Sequence, residues 1–383
     1  MTYNYRYPFK KSWRWGVVRF FDWALSPFSK HFKEKKFPER VERILVVRLD
    51  QIGDLVCSIP TFPILKKRYP NAKIYVLTGR EGKAVFSQNP YVDEIIVFHS
   101  NWFTRSTMSH PFEGVGLIFY LRKKAFDLGF DLRGDLRNIL MMTLAGVRYR
   151  IGYGIAGGGA LLHEMCTYDA NLHQAELNVR LVTDREVEKT QLRPEIYLTD
   201  EEKSEADRLL KDHGIGNRLH LIAVHPEAGY PSKEWEDERF NTLTRELLTD
   251  PRNVVILLGI SKKAREIANN FLGVNRVVNL VGTLTLRKMI AVLSCCHLFI
   301  GNDSGPSHIA QALGIPLVVI ASGTNEYGKW GVWTRRARVL KYSVPCSPCH
   351  LKYCNVEGHP CMSKISTEAV VSAVRELIPE GVR

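Results

Sequence analysis

The chain has 383 residues, of which 45% are hydrophobic and 24% are charged, and its formal net charge is +13. This length exceeds what one ordinary hydrophobic core accommodates, and the composition is that of a soluble globular protein rather than a disordered chain. The sequence lacks both an apolar run of the roughly 20 residues needed to cross a bilayer and a secretory signal. We therefore expect a cytoplasmic protein whose cysteines are mostly reduced.

Residues 1–40 form a basic aromatic arm. Met1–Arg43 contains 11 Lys or Arg against 4 Asp or Glu, together with twelve aromatic residues. Aromatic rings and basic side chains suit an anionic membrane surface, and Trp13–Leu25 has the spacing of an amphipathic helix lying in that surface. Two other interpretations stay open: the aromatics pack on the body of the protein, or the arm binds nucleic acid, which we weigh least.

Short β-branched runs alternate with helical stretches after the arm. The predicted strands are Arg43–Leu49, Lys73–Thr78, Glu94–Phe98 and Phe126–Leu132. The predicted helices are Leu55–Tyr69, in spite of Pro60 and Pro63, and Asn138–Ala145. The glycine-rich segment Gly152–Gly159 is expected to be a mobile loop. This alternation predicts βαβ units and a parallel sheet, which we assign to a first domain, residues 41–215.

The same alternation restarts in the second half of the chain. The predicted strands are Leu219–His225, Asn253–Leu258, Val277–Leu280, Leu298–Ile300 and Pro316–Ile320. Helices are predicted within Asp200–Asn217, around Glu238–Leu248, from Lys262, and over Leu286–Ser294 and Ser307–Leu313. We place the boundary at the linker Gly214–Arg218 and expect a second α/β domain, residues 216–383. Ligands of such sheets bind at the carboxyl ends of the strands.

The first candidate site is the turn Arg48-Leu-Asp-Gln-Ile-Gly-Asp54, which follows the first strand. Asp54 comes after Gly53 at a helix start, so it is either a helix cap or a general base that takes a proton from an attacking hydroxyl. Asp50 is the rival carboxylate. The chain has neither GxGxxG after this strand nor GxxxxGK[ST], which argues against a dinucleotide-dependent dehydrogenase and a P-loop NTPase.

The second candidate site is His225-Pro-Glu-Ala-Gly-Tyr-Pro-Ser-Lys-Glu-Trp235, also directly after a strand. Gly229 and Ser232 shape the loop. Lys233 is either a solvated lysine or a positive charge that offsets a departing diphosphate. Its place at the end of a strand favours the second interpretation.

The third candidate site is Phe299-Ile-Gly-Asn-Asp-Ser-Gly-Pro-Ser-His308, where a strand turns into a helix. Free amides at a helix start attract phosphate, and Gly305 lets the backbone approach an anion. Asp303 suits the hydroxyl groups of a sugar. The alternative is that Asp303 and Ser304 only cap the helix.

The three segments together resemble glycosyltransferase family 9, the ADP-heptose:lipopolysaccharide heptosyltransferases. The resemblance extends from about Arg43 to the C-terminus and leaves out the arm. It implies an α/β protein of the GT-B fold, with two Rossmann-like parallel-sheet domains facing a cleft. The N-terminal domain would bind the acceptor and the C-terminal domain the nucleotide sugar.

The resemblance also implies a reaction. It is an inverting, metal-independent transfer of heptose from ADP-heptose to a lipid A–Kdo core, a lipid-linked acceptor at the inner face of the bacterial inner membrane. No cofactor is required. Asp54 would be the general base, and Lys233 would meet the donor diphosphate. The other residues assigned to the donor are Gly53, Gly229, Ser232, Asp303, Ser304, Gly305 and His308.

Two departures from the family pattern bear on the donor. The loop Gly259-Ile-Ser-Lys-Lys263 has no acidic residue for a ribose, and Glu227 stands where the family usually has glycine. Another nucleotide sugar, such as a UDP-hexose, is therefore the alternative donor. A non-catalytic protein that binds nucleic acid or membrane through its arm is the alternative from a different class, and we expect no nucleic-acid partner.

Four cysteines lie close together near the C-terminus, in segment 346–361. They are Cys346, Cys349, Cys354 and Cys361. Four thiolates can hold a structural zinc ion, but the spacing is not that of paired CxxC motifs. Reduced structural thiols and disulfides are the other interpretations.

Overall fold

The computed structural model describes residues 12–98, 111–183, 192–215 and 220–378. The chain divides into two compact units, Met1–Leu192 and Arg193–Arg383. The strands of each unit form a six-stranded parallel sheet with helices between them. The predicted fold class, two Rossmann-like α/β domains, is confirmed.

The sheet of the first unit has the strand order β3-β2-β1-β4-β5-β6. Its strands are β1 (Arg43–Arg48), β2 (Lys73–Thr78), β3 (Glu94–Val97), β4 (Leu128–Asp131), β5 (Tyr149–Gly152) and β6 (Glu164–Met165). Its helices are α1 (Ser12–Lys33), α2 (Ile52–Ser58), α3 (Thr61–Arg68), α4 (Arg80–Phe86), α5 (Pro111–Lys124), α6 (Leu136–Leu144) and α7 (Gln174–Arg180). The central strands β1 and β2 are buried along nearly their whole length, as expected for parallel strands covered on both faces.

The sheet of the second unit has the strand order β12-β11-β10-β7-β8-β9. Its strands are β7 (His220–His225), β8 (Asn253–Leu257), β9 (Val277–Asn279), β10 (Leu298–Asn302), β11 (Leu317–Ala321) and β12 (Ala337–Lys341). Its helices are α8 (Asp200–Asp212), α9 (Asp237–Leu247), α10 (Lys262–Asn269), α11 (Leu286–Ser294), α12 (Gly305–Ala312), α13 (Tyr327–Trp330), α14 (Pro360–Ser363) and α15 (Thr367–Leu377).

The division between the units lies earlier in the chain than the linker at Gly214–Arg218. Helix α8 belongs to the second unit, where it packs on α11 and where Arg287 Nε lies 2.6 Å from Glu202 Oε1. Residues 216–218 of the proposed linker lie outside the described residues. The sequence could not assign this polar helix to a domain, because its few apolar residues do not indicate which hydrophobic core they pack against.

Two local predictions were wrong. The single helix Leu55–Tyr69 is two helices, α2 and α3, because Pro60 cannot continue the hydrogen bonds of the first one. The glycine-rich segment is largely buried, and its end forms a 3-10 helical turn, Gly159–Leu161, that packs against α1. Asp22 of α1 accepts a 2.7 Å hydrogen bond from the Gly158 amide, which gives these backbone amides a partner.

The N-terminal arm is helical over the 22 residues of α1, longer than the predicted stretch. Residues 1–11, which contain its first aromatics, lie outside the described residues. Within the described part of the chain, no helix has the length and hydropathy needed to cross a membrane.

Candidate active site

Charged side chains gather at the carboxyl ends of β1 and β4, which are neighbours in the first sheet. Arg48 is buried at the end of β1, where its Nη1 donates a 2.6 Å hydrogen bond to the Leu132 carbonyl. Its guanidinium also lies 3.2 Å from Asp50 Oδ2 and 3.2 Å from Asp54 Oδ1. One buried arginine therefore holds both carboxylates that the sequence singled out.

The two carboxylates differ in access. The Asp50 side chain is 3% exposed and forms ion pairs with both Arg48 and Arg133, whereas the Asp54 side chain is 20% exposed. Gln51 is the N-cap of α2, so Asp54 lies in the first turn and is not the cap itself. A carboxylate there is favoured by the helix dipole. Of the pair, Asp54 is the one that a substrate hydroxyl can approach.

Asp131, at the end of β4, is a site residue that the sequence did not single out. Its carboxylate accepts hydrogen bonds from Asn138 Nδ2 (2.9 Å), from the Asp135 amide (2.8 Å) and from the Arg133 amide (3.2 Å). Burial raises the pKa of Asp131 to about 6 in spite of these bonds, and the nearby charge of Asp135 adds to the rise. The motif Asp131-Leu-Arg-Gly-Asp135 directly after a strand was the available signal.

The second sheet brings Lys233 and Asp303 together. They follow β7 and β10, which are neighbours. Lys233 Nζ lies 3.0 Å from Asp303 Oδ2 and 3.4 Å from the Asp303 carbonyl, and both side chains are mostly buried. Asn302 joins the two loops, because its amide donates to the Pro226 carbonyl (2.8 Å) and its oxygen accepts from the Trp235 amide (3.1 Å).

The start of α12 lies directly beyond this pair. Ser304 is its N-cap and Gly305 its first residue, and Ser307 Oγ donates a 2.6 Å hydrogen bond to the Ser304 carbonyl. Ser304 occupies the N-cap position, but its hydroxyl makes no hydrogen bond to the helix; Asp303 is not the cap, and its carboxylate pairs with Lys233. A lysine beside the positive end of a helix is suited to a phosphate group.

The structure places the remaining predicted donor residues, Ser232, Gly229, His308 and Gly53, at several positions. Ser232 is buried next to Lys233, Gly229 is exposed earlier in the same loop, and His308 is buried in α12 with its ring 6.2 Å from that of Trp333. Gly53 belongs to α2 in the first unit. The structure thus places all of these residues except Gly53 in the second unit.

Tyr327 of α13 is a second residue that the sequence missed. Burial raises its pKa, and the nearby carboxylate of Asp303 raises it further. Gly331 is required beside it, because a Cβ at that position would overlap the tyrosine ring. A neutral phenol close to Asp303 can donate a hydrogen bond to a ligand.

Glu227, in the loop after β7, contacts the loop after β8, in which the sequence shows no acidic residue. Its Oε1 accepts hydrogen bonds from the Ile260 amide (2.6 Å) and the Ser261 amide (2.5 Å), at the start of α10. Gly259 has a positive φ, and a side chain there would collide with Glu227. The two departures from the family pattern are therefore in contact. The carboxylate next to the start of α10 belongs to the loop after β7 and not to the loop after β8.

The cysteine-rich segment packs against Ser232. The Ser232 hydroxyl donates to the Leu351 carbonyl (2.5 Å) and its amide to the Lys352 carbonyl (3.2 Å). The His359 ring nitrogen Nε2 lies 3.1 Å from the Ser232 carbonyl. The segment thereby fixes the backbone on which Lys233 stands.

The four cysteines line a single small cavity in this segment and are all free thiols. Burial raises the pKa of Cys361, and the other three cysteines add to the rise. Among the described residues, no group of three or more His, Cys, Asp or Glu is arranged to hold a metal ion. The zinc site stays a prediction from the sequence.

The fold of the two units is that of the GT-B class. The structure of ADP-heptose lipopolysaccharide heptosyltransferase II from Escherichia coli superposes with a TM-score of 0.71 and 24% identity, covering 88% of this chain and 98% of that one. A glycosyl transferase family 9 structure from Veillonella parvula gives a TM-score of 0.72 at 19% identity, covering 88% and 97% of the two chains.

The family follows from the sequence comparison. Residues 116–359 match the model of glycosyltransferase family 9 (heptosyltransferase), and the chain belongs to that family. It is 27% identical over 302 residues to lipopolysaccharide heptosyltransferase 2 of Salmonella typhimurium, covering 73% of this chain and 82% of that protein. The family assignment made from the three motifs is confirmed.

Proposed function

We propose that this enzyme transfers heptose from ADP-heptose to a lipid A–Kdo acceptor of the lipopolysaccharide core, with inversion at the anomeric carbon. The pairing of Lys233 with Asp303 beside the start of α12 is the observation that supports this most directly. The relatives named lipopolysaccharide heptosyltransferase support the sugar and the acceptor.

On the donor side, the diphosphate would be bound by Lys233 and the amides at Ser304-Gly305. In the structure, the Asp303 carboxylate pairs with Lys233. A diphosphate brings more negative charge than one carboxylate, so the lysine can turn to the phosphates while Asp303 accepts hydrogen bonds from sugar hydroxyls. These cationic and amide groups stabilise the leaving group without a metal ion, and no cofactor takes part.

On the acceptor side, Asp54 would take the proton from the attacking hydroxyl. The hydroxyl oxygen then forms a bond to the anomeric carbon from the face opposite the nucleotide. The bond from that carbon to the diphosphate oxygen breaks, and ADP leaves with the electron pair. Arg48 holds the Asp54 carboxylate in place for this step.

The acceptor proposed here is lipid-linked, so the enzyme would work on the inner face of the bacterial inner membrane. The basic aromatic arm supports peripheral association with that surface, since aromatic and basic residues are concentrated there.

A different nucleotide sugar, such as a UDP-hexose, is the second candidate donor. Glu227 supports this alternative. One oxygen of its carboxylate already accepts hydrogen bonds from the amides of Ile260 and Ser261, so only the other oxygen could bind a ribose.

The test is to incubate the purified protein with lipid A–Kdo and either ADP-heptose or UDP-hexoses, and to analyse the products by mass spectrometry and NMR. We expect a heptosylated acceptor from ADP-heptose with the anomeric configuration inverted. If only UDP-hexoses give a product, the donor is a UDP-hexose and not ADP-heptose. If the anomeric configuration is retained, the proposed inverting mechanism is wrong.

A further inference from the structure

Three helices cover one face of the first sheet. Helix α1 and helix α6 both contact the helical turn Gly159–Leu161, and α5 contacts α6. All three contribute side chains to the same hydrophobic core beneath them, including Leu25, Leu117 and Ile139. They form one layer, and their opposite sides face away from the sheet.

Among the described side chains of α1, those of Asp22, Leu25 and Phe32 attach the helix to this layer. Leu25 and Phe32 pack on the core, the Arg150 guanidinium lies 4.7 Å from the centre of the Phe32 ring, and Asp22 binds the Gly158 amide. Phe20 and Trp23 lie on the other side, where they are 60% and 72% exposed and their ring centres are 6.0 Å apart. Both aromatic side chains are therefore largely open to solvent.

The exposed apolar side chains of the first unit are concentrated on the outer side of this layer. Of the large hydrophobic residues that are exposed in the described part of that unit, all but Phe37 belong to these three helices. They are Phe20 and Trp23 of α1, Val115, Phe119 and Tyr120 of α5, and Leu140 and Leu144 of α6. Isolated exposed apolar residues are normal, but a concentration on one layer indicates a contact surface.

The charge of the three helices indicates what this surface meets. Their sequences contain eight Lys or Arg and two acidic residues. One of the two, Asp22, is bonded to the Gly158 amide. Exposed Lys30 and Lys33 follow the aromatics along α1, and exposed Arg122 and Lys123 end α5. Aromatic rings at the headgroup level, flanked by basic side chains, match an anionic bilayer.

We propose that the outer side of α1, α5 and α6 is the surface on which the enzyme docks to anionic phospholipid bilayers. Phe20, Trp23 and Phe119 insert at the headgroup level, and the neighbouring lysines and arginines contact lipid phosphates. This inference rests on the proposed function in one respect: a lipid-linked acceptor explains why a transferase needs such a surface. A nucleic acid would match the charge but would leave Leu140, Leu144 and Val115 in water.

The experiment measures binding of the full chain to sedimented vesicles of phosphatidylglycerol and phosphatidylethanolamine, with purely zwitterionic vesicles in parallel. We expect strong binding to the anionic vesicles only, weakened by salt. The double variant Phe20→Ser/Trp23→Ser should bind at least about tenfold more weakly, since each buried aromatic contributes that order of affinity. Phe119→Ser, on a different helix, should weaken binding about threefold or more.

The matched control is Leu272→Ser in the second unit, where the side chain is 69% exposed. It should bind vesicles as the unaltered protein does. Because all these side chains are exposed, circular dichroism and the unfolding midpoint should be unchanged in every variant.

Three outcomes would overturn the proposal: equal binding of the unaltered protein to both vesicle types, full binding by the Phe20→Ser/Trp23→Ser variant, or tighter binding to duplex DNA than to anionic vesicles. A failure of the proposed function can be distinguished from a failure of the docking proposal. Vesicle binding needs no donor, and transfer to a delipidated acceptor fragment should be the same in the double variant and the unaltered enzyme.

Discussion

The carboxyl edges of the two sheets are built from the same strand-to-helix turns, yet they differ in how charge is arranged. In the first unit, the buried arginine Arg48 holds Asp50 and Asp54, and Asp131 lies at the end of the neighbouring strand β4. In the second unit, a lysine and an aspartate pair next to the start of a helix. One edge is rich in carboxylates, whereas the other offers a cation and backbone amides.

This difference fits a division of labour between proton transfer and anion binding. A carboxylate that is held by arginine but open to a substrate can accept a proton, and the helix start with its lysine can stabilise a diphosphate. The predictions below test whether each edge performs one task and not the other. They are ordered from the largest expected effect to the smallest.

Replacing Asp54 by Asn should separate the two tasks most clearly. We expect kcat to fall about 10³-fold, because the general base is lost, while the affinity for the donor stays the same. Steady-state kinetics and calorimetry measure the two quantities. Asp169→Asn, at another carboxylate of the same unit, is the control and should be fully active. Near-normal turnover in the Asp54 variant would mean that Asp54 is not the base.

Lys233→Ala should affect the other task. Loss of the positive charge at the departing diphosphate should lower kcat/KM about 10²-fold and should also weaken donor binding, which Asp54→Asn leaves intact. Lys211→Ala is the control, since that lysine is exposed on α8 and pairs with Asp207. If donor affinity is unchanged in Lys233→Ala, the diphosphate is bound elsewhere.

The pH dependence of stability should depend on Asp131. Its pKa is raised from 3.8 to about 6 on folding, so the folded protein binds the proton more tightly than the unfolded chain. The stability should therefore fall as the pH rises through that window, by at most about 3 kcal/mol from this group. Asp131→Asn should flatten this part of the curve in urea unfolding measured against pH.

Asp250 provides a contrast of opposite sign. Hydrogen bonding to Arg252 lowers its pKa to about 2, so its contribution is present above 3.8 and is lost as the pH falls further. Asp250→Asn should leave the window between 3.8 and about 6 unchanged. An unchanged curve in Asp131→Asn would show that Asp131 ionises normally.

His359→Ala should have the smallest effect. The histidine contacts the Ser232 carbonyl, next to Lys233, and so acts as a positioning residue. Loss of one hydrogen bond is expected to raise the KM for the donor about fivefold, with little change in kcat. His213→Ala, at the exposed end of α8, is the control. An equal loss of kcat without a change in KM would contradict the positioning role.

The comparison also shows how far the sequence alone leads. Nine of the twelve strands in the described residues were predicted to within a few residues, because β-branched runs such as Ile44–Val47 are buried on both faces. The strands β5, β6 and β12 were missed. The three turns that follow β1, β7 and β10 were found because glycine, proline and polar residues interrupt those runs. Contacts between such turns were not predictable, because they join residues far apart in the chain.

Three examples show this limit. The Arg133 amide donates to Asp131 while its guanidinium pairs with Asp50, and this is possible because β4 pairs with β1 in the sheet. Glu227 bonds to the start of α10, beside a loop that has no acidic residue of its own, because the two loops follow the neighbouring strands β7 and β8. The cysteine-rich segment supports Ser232 across more than a hundred residues of sequence, and nothing in its cysteine spacing indicated that.

The central claim is that the second unit binds an adenosine diphosphate sugar through Lys233 and the start of α12. Calorimetric titration of the unaltered protein with ADP-heptose, with ADP and UDP as competitors, tests this most directly. We expect ADP-heptose to bind, ADP to compete with it and UDP not to compete. Tighter binding of UDP, or no binding of any nucleotide, would contradict it.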